Sequence, residues 1–491
     1  MNLSKSRYCS GLQCTKILWM QKNIPDEYDD GVMNQGILNT GNEIGDLAMG
    51  YFGTFSEVPY NADKFLMIDD TKKLLEQKTK VITEASFSYE GNFCSVDILH
   101  LVKDSFEIIE VKSSTGINPI YYDDMAFQYY VLSGCGLKVK KISLMHINNQ
   151  YIRQGKLDLK KLFTVEDCTN EVLAKQKDIG NQIAALKKTA EQKEEPDIDI
   201  GPHCSDPYEC GYSGYCWKHI PEQSIFSIAR LAGKTKFDYY NQGIISFDDV
   251  LKNNISLSEK QQRQVESEAR SLDPTINKKE IKSFLKTLTF PLYFLDFETF
   301  MPALPPFDGC WPYMQIPFQY SLHILKSPDT EAEHHEFLAK EGTDPRRPLA
   351  EALCKDIPRK VCTLAYNSGF EKRVIKDLAD LFPDLSNHLL DIQSHIKDLM
   401  TPFQSHAYYR REFQGSYSIK TVLPGLFPDD PELDYHNLEL IQNGGEAMTA
   451  FPGLEKKRPE EITEIRQSLL AYCRLDTLAM VKIWGYLKEL V

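Results

Sequence analysis

Two apolar periods divide the chain. In VITEASFSYEGNFCSVDILHLV (81–102) apolar and polar positions alternate, the two-residue period of half-buried strands, with a turn at Glu90-Gly91-Asn92. SFEIIEVKSST (105–115) continues as a third strand and KVKKISLMHIN (138–148) as a fourth. Between them DDMAFQYYVLSGCG, from Asp123, reads as a helix ending on glycines. Helical spacing also appears in TGNEIGDLAMGYF (40–52), through Ile44, Leu47, Ala48 and Tyr51, and at 169–195, through Val172, Ile179, Ile183 and Leu186. Residues 71–83 are expected to form a further helix with Lys72, Lys73, Lys78 and Lys80 outside. Residues 222–288 are polar and helical in pattern, with a break at Asn241-Gln242-Gly243. From Phe290 the pattern is three strands (FPLYFLDFETF, PFQYSLHIL, EHHEFLA), then helix, strand (KVCTLAY) and helix (FEKRVIKDLADLF), with a long helix from Pro459. Both ends therefore read as α/β, and the expected division is 1–220, a helical connector at 221–289, and 290–491.

Composition agrees with several domains. The chain has 491 residues, 42% apolar and 26% charged, more than one ordinary core holds. No apolar run reaches membrane-spanning length, and MNLSKSRYCSGLQCTKILWMQK lacks the apolar core of a signal peptide, so a cytoplasmic protein without a membrane partner is expected. A net charge of -14 argues against nonspecific adhesion to nucleic acid over the whole surface but leaves room for a local basic groove. Twelve cysteines are too sparse for a disulfide scaffold in a chain of this size.

The chemistry starts at YFLDFETF (293–300). Side chains two apart on a strand share a face, so Asp296 and Glu298 point the same way, and a divalent metal with oxygen ligands relieves their repulsion. The same spacing puts Glu110 and Lys112 on one face of IIEVKSS, with Asp97 in the strand before it. An acid and an ammonium on one face also make an ordinary salt bridge. In a nuclease, Asp97 and Glu110 ligate Mg²⁺ or Mn²⁺, the metal lowers the pKa of bound water, and Lys112 orients that water or stabilises transition-state charge.

Asp97, then E-V-K, then a helix carrying Gln128 resembles the PD-(D/E)xK nuclease superfamily, and within it the RecB-like group that includes the CRISPR-associated adaptation nucleases. The resemblance covers roughly residues 1–220 and implies a restriction-endonuclease-like domain in which Gln128 helps close the active site. The group often carries a histidine ligand on an N-terminal helix; in GNEIGDLA that position is Gly45, with Glu43 or Asp46 as substitutes.

Cys204, Cys210 and Cys216 are spaced by six, not as the C-x-x-C of a zinc knuckle, and Cys14 is the best fourth thiolate, with Cys9 in reserve. One N-terminal cysteine plus three beyond the core resembles the iron–sulfur staple of the same RecB-like group. That resemblance implies a 4Fe–4S cluster tying the two ends of the domain together; a structural zinc is the alternative.

In the C-terminal third, TLAYNSGFEKRVI places Glu371 at a helix start, and LLAYCRLDTLAMV puts Tyr472 and Asp476 one turn apart. D-x-E, Y-N-x-x-F-E and Y-x-x-x-D together resemble the DEDD exonuclease superfamily in its tyrosine branch, with a DnaQ-like, ribonuclease-H-like fold. The resemblance implies that Asp296, Glu298, Glu371 and Asp476 hold two metals and that Tyr472 orients the attacking water. Glu371 departs from the family's aspartate, and Asp398 is a reserve ligand. Lys420, in a segment like the family's S-x-K region, is a candidate phosphate contact.

The whole arrangement resembles an uncharacterised bacterial family that joins a cysteine-stapled RecB-like nuclease to a DnaQ-like domain. The expected activity is metal-dependent hydrolysis of phosphodiesters, in DNA that is single-stranded or has free ends. RNA trimming is one alternative, and a nucleic-acid-binding or scaffold protein with one or both sites inactive is another. Tyr121, Tyr122, Tyr129, Tyr130, Tyr408 and Tyr409 are candidate base-stacking residues. Lys138, Lys140, Lys141, Arg410 and Arg411 are candidate phosphate contacts.

Overall fold

A computed structural model describes residues 2–32 and 35–491. It is mixed α/β, and the chain divides into two compact units: Met1–His219 with Pro302–Met314, and Ile220–Met301 with Gln315–Val491. The polar helical stretch after residue 220 thus clusters with the C-terminal unit, and a segment that leaves the D-x-E strand clusters with the N-terminal one.

Unit one holds a seven-stranded sheet: β1 (Leu3–Ser4), β2 (Ser56–Glu57), β3 (Val81–Tyr89), β4 (Asn92–Val102), β5 (Ser105–Lys112), β6 (Val139–Ile147) and β7 (Phe163–Asp167). Its order is β2-β3-β4-β5-β6-β7, with β1 beside β4. β3, β4 and β5 form an antiparallel meander. β6 is parallel to β5, and the helix Tyr121–Gly134 makes the crossover between them. On one face, Met125, Phe127 and Val131 of that helix share a core with Val172, Ile179 and Ile183 of Thr169–Ala190. On the other face, Ile44 and Ala48 of Gln35–Met49 pack with Ile98, Ile109 and Met145. With helices on both faces, even alternating strands become largely buried, which makes a charged inward side chain costly unless it has a partner.

The helix expected at 71–83 lies earlier, at Lys64–Glu76, capped by Asp63, and Val81 already opens β3. Phe65 and Leu66 are exposed in its first turn, so the apolar period there does not mark the buried face.

Unit two begins with small helices at Gly233–Tyr240, Phe247–Lys252 and Glu259–Ala269 around Ile225, Phe247, Val250 and Val265. Its two-stranded ribbon pairs β8 (Thr275–Ile276) with β14 (Tyr408–Tyr409). The main sheet contains β9 (Leu292–Phe300), β10 (Ile316–Leu325), β11 (Glu333–Leu338), β12 (Cys362–Ala365) and β13 (Ile396–Asp398), in the order β11-β10-β9-β12-β13. β9, β10 and β11 are antiparallel; β12 and β13 run parallel to β9. The central strand β9 is buried throughout except at Asp296, which is half-buried, and this explains its near-continuous apolar run. Gly369–Leu381 and Pro383–His395 share the core with Leu295 and Phe297, while Pro459–Glu489 lies against β9 and β10.

Candidate functional site

In unit one the sheet brings Asp97, Glu110, Lys112 and Gln128 together. Glu110 is buried and fully engaged: Lys112 Nζ stands 2.8 Å from it, Lys5 Nζ 2.9 Å, and the Gln128 amide donates at 2.5 Å. Burial opposes ionisation of Glu110, but the two ammonium groups outweigh it and hold the carboxyl well below its ordinary range. One oxygen of Asp97 accepts the Val111 N–H at 2.6 Å. Burial, and then the charge of Glu110, push Asp97 up to about 6. Lys112 also pairs with Asp124 at 2.7 Å, and its ammonium lies 5.2 Å from the Tyr121 ring centroid.

Three participants have no signal in the local pattern. Lys5 arrives from the helix Lys5–Gln13, 105 residues before its partner. Asp124 sits one turn before Gln128, where an acid in a first turn reads as dipole compensation. Glu84 breaks the strand geometry: its φ is 56°, and the β3–β4 pairing steps from Thr83–Ile98 to Ala85–Val96, skipping both Glu84 and Asp97. A left-handed glutamate inside a strand is strained and re-aims its side chain. Burial and then Asp97 push it up to about 7. Gly45 is half-buried between Ile44 and Ala48, and a Cβ there would meet no atom within 4 Å. Two ammonium groups already balance Glu110, so a metal fits this donor set only where Lys5 yields.

The four cysteines Cys14, Cys204, Cys210 and Cys216 line one cavity with Ile17, Met20 and Tyr212. Cys9 is directed elsewhere, its thiol donating to Asp124 at 2.9 Å. A single tetrahedral zinc, with Zn–S near 2.3 Å, draws its sulfurs to roughly 3.8 Å apart. Four thiols around one cavity make a soft donor set that fits either a single zinc or an iron–sulfur cluster.

In unit two, Asp296, Glu298 and Cys473 bring one ligand atom each within 4.8 Å of the others, the one such group among the described residues. A bulge at Phe318, where the β10 register shifts between Pro317 and Gln319, sits opposite Glu298. Burial raises Asp296 well above the carboxylate range, and Asp476, Glu298 and Glu371 add to it; Glu298 rises by burial and then Asp476. Glu371 is buried with Oε2 unpartnered, and burial pushes it up to about 8. Asp476 accepts from Tyr435 at 2.5 Å and pairs with Lys420 at 3.3 Å. Lys420 Nζ lies 3.1 Å from the Tyr435 ring centroid and 4.6 Å from that of Tyr472. Burial and then Asp476 keep the Tyr472 phenol protonated. Buried acids with one adjacent lysine make an oxygen-rich donor set that fits a hard divalent cation.

Asp398 is committed elsewhere. Its two oxygens accept the N–H groups of Asn367, Ser368 and Met400 at 3.0 Å each, so it holds the turn that leads into the Glu371 helix. Tyr435 and Cys473 are the residues that sequence reasoning missed here. Cys473 lies three before Asp476, a spacing that shares a helix face; Tyr435, on the short turn Tyr435–Asn437, has no such signal. Tyr408 and Tyr409 are buried at 1% exposure and belong to the core, not to a stacking surface. Arg410 and Arg411 pair with Glu412, and Lys141 pairs with Glu107.

No helix among the described residues is long and apolar enough to cross a membrane. A comparison with curated proteins returned no match. Residues 293–418, which include Asp296, Glu298 and Glu371, match the model of a domain of unknown function, DUF2779.

Proposed function

We propose that the chain is a metal-dependent nuclease that hydrolyses phosphodiester bonds in DNA, with its principal site in unit two. One observation carries the reading: Asp296, Glu298, Glu371 and Asp476 converge in a buried place with one adjacent lysine, and a buried Glu371 oxygen has no partner. A globular core has no stability reason to gather such charge. The strand order β11-β10-β9-β12-β13, antiparallel then parallel, supports a ribonuclease-H-like assignment for this unit.

The four carboxylates would hold divalent cations such as Mg²⁺ or Mn²⁺. When bound, such ions stabilise charge developing on phosphate oxygens. Tyr472 keeps its proton and donates a hydrogen bond that orients water at the reacting phosphorus. Lys420 places an ammonium at the mouth of the site, where it meets a phosphate oxygen. Tyr435 fixes Asp476 in its rotamer through the short hydroxyl contact.

For unit one, the meander with its helical crossover and the Asp97–Glu110–Lys112–Gln128 group support a PD-(D/E)xK nuclease whose fold is tied by a cluster on Cys14, Cys204, Cys210 and Cys216. A second reading applies to this unit alone. Lys5 occupies the carboxylate a metal would use, which favours a nucleic-acid-binding module whose catalysis is suppressed.

The test uses end-labelled single- and double-stranded DNA and RNA with Mn²⁺, comparing wild type with Lys112→Ala, Asp296→Ala and the double variant. Asp296→Ala should lower cleavage by about 100-fold or more, and the double variant should abolish it. A double variant that cuts like wild type overturns the proposal. Preferential cleavage of RNA overturns the assignment to DNA.

A further inference from the structure

Beside Lys112, unit one opens into a cleft of about 700 Å³. Ser113, Ser114 and Thr115 form one wall, continuing directly from the E-V-K strand. Tyr121, the residue whose ring faces the Lys112 ammonium, forms another. Asn149 and Gln150 follow β6, and Trp311, Pro312 and Tyr313 complete the lining.

The segment that carries Trp311 is firmly tied down. Arg153 donates to the carbonyls of Pro305 and Pro306 at 2.9 and 2.7 Å. Gly155 donates to Asp308 at 2.7 Å, and the Tyr313 hydroxyl donates to the Ser113 carbonyl. Cys310 and Met314 are buried on either side, yet Trp311 stays 37% exposed. A large aromatic held open by a rigid segment at the lip of a polar cleft is the arrangement of a stacking platform. The residues lining the cleft are uncharged. A groove that tracked phosphates would carry lysine or arginine; hydroxyls, amides and aromatic faces suit the hydrogen-bonding edges and π-faces of bases.

We infer that this cleft is a subsite for unpaired bases of a DNA strand, next to the phosphodiester presented to Lys112. Trp311 and Tyr121 supply the stacking faces, and Asn149 and Gln150 meet base edges. A base can enter only after leaving its partner, so the cleft selects single strands or frayed ends over intact duplex. The assignment rests on the nuclease reading of unit one for the position of the phosphodiester, but binding is measured independently of cleavage.

Fluorescence anisotropy on the full chain in EDTA tests it, using an end-labelled oligothymidylate, the same strand with abasic sites, a blunt duplex and an oligouridylate. Oligothymidylate should bind at least about 10-fold tighter than the abasic strand or the duplex. Trp311→Ala should remove most of that advantage, Trp311→Tyr should restore it, and abasic binding should not change. The exposed position of Trp311 makes its replacement compatible with folding, and circular dichroism checks this. Equal binding by Trp311→Ala and wild type overturns the subsite, as does a duplex that competes equally. An oligouridylate that binds more tightly than oligothymidylate overturns the assignment to DNA. Trp311-dependent binding without cleavage in Mn²⁺ would instead refute the nuclease reading and leave the subsite standing.

Discussion

The ammonium of Lys5 stands 2.9 Å from one oxygen of Glu110 and 3.1 Å from the other, so a residue from the first helix neutralises the acid of the E-V-K strand. Metal and Lys5 therefore compete for one carboxylate. Lys5→Met should tighten Mn²⁺ binding in unit one, measured by calorimetry in a Glu298→Gln background that silences unit two. It should also cost about 1–3 kcal/mol of stability in EDTA, because buried Glu110 keeps Lys112 and Gln128 but loses one charged donor. Unchanged or weaker Mn²⁺ binding would mean that Lys5 does not guard the site.

Unit two should show the opposite sign. Glu298 is buried beside Asp296, with Asp476 adding further repulsion. Glu298→Gln removes a carboxyl that the folded site must either keep protonated or leave repelled by its neighbours, so without metal the variant should be more stable than wild type by roughly 1–2 kcal/mol. Its melting temperature should then gain little from Mn²⁺, whereas wild type should gain several degrees, as binding to the folded state alone requires. Thermal melts of both proteins with and without Mn²⁺ decide this. A Glu298→Gln protein less stable than wild type in EDTA would show the carboxylate to be a structural partner.

The cysteines separate by partner. Cys14 lines the cavity with Cys204, Cys210 and Cys216, and Cys9 hydrogen-bonds Asp124. Anaerobically purified Cys14→Ser should lose bound iron and sulfide; Cys9→Ser should keep both. Losing a link between residue 14 and residues 204–216 releases a loop of most of the unit, a stability loss on the order of 3–5 kcal/mol. Colourless, iron-free wild type with stoichiometric zinc would assign the cage to zinc instead.

What the sequence made legible was local. Asp296 with Glu298, and Glu110 with Lys112, lie two apart on strands whose apolar neighbours announce burial, so facing and burial follow from period alone. Asp97 and Gln128 lie in the neighbouring strand and the crossover helix, still within one supersecondary unit. Lys5 and Tyr435 reach their carboxylates across 105 and 41 residues, and no period encodes that return. Glu84 is hidden for a different reason: its left-handed backbone breaks the alternation that would have placed it. The open cleft depends on a segment after β9 clustering with unit one, which neither composition nor spacing foretells.

Glu268, away from both sites, gives a pH test of the fold itself. It closes the helix Glu259–Ala269 with one side-chain oxygen buried and unpartnered, and burial pushes it up to about 7 despite a hydrogen bond with Gln264. In the unfolded chain a glutamate titrates near 4.3. Between these values the folded state binds the proton and the unfolded state does not, so folding is favoured as pH falls. The contribution is fully present below about 4.3 and is lost as pH rises through about 7. Above that, the folded chain carries a buried charge, and Glu268→Gln, which cannot ionise, avoids it. The variant should exceed wild type in stability by on the order of 2–3 kcal/mol at pH 8, with the gap closing toward pH 4.5, in urea unfolding at each pH. A gap that stayed constant across this range would mean that Glu268 is ionised in the folded chain throughout and has a partner that holds it so.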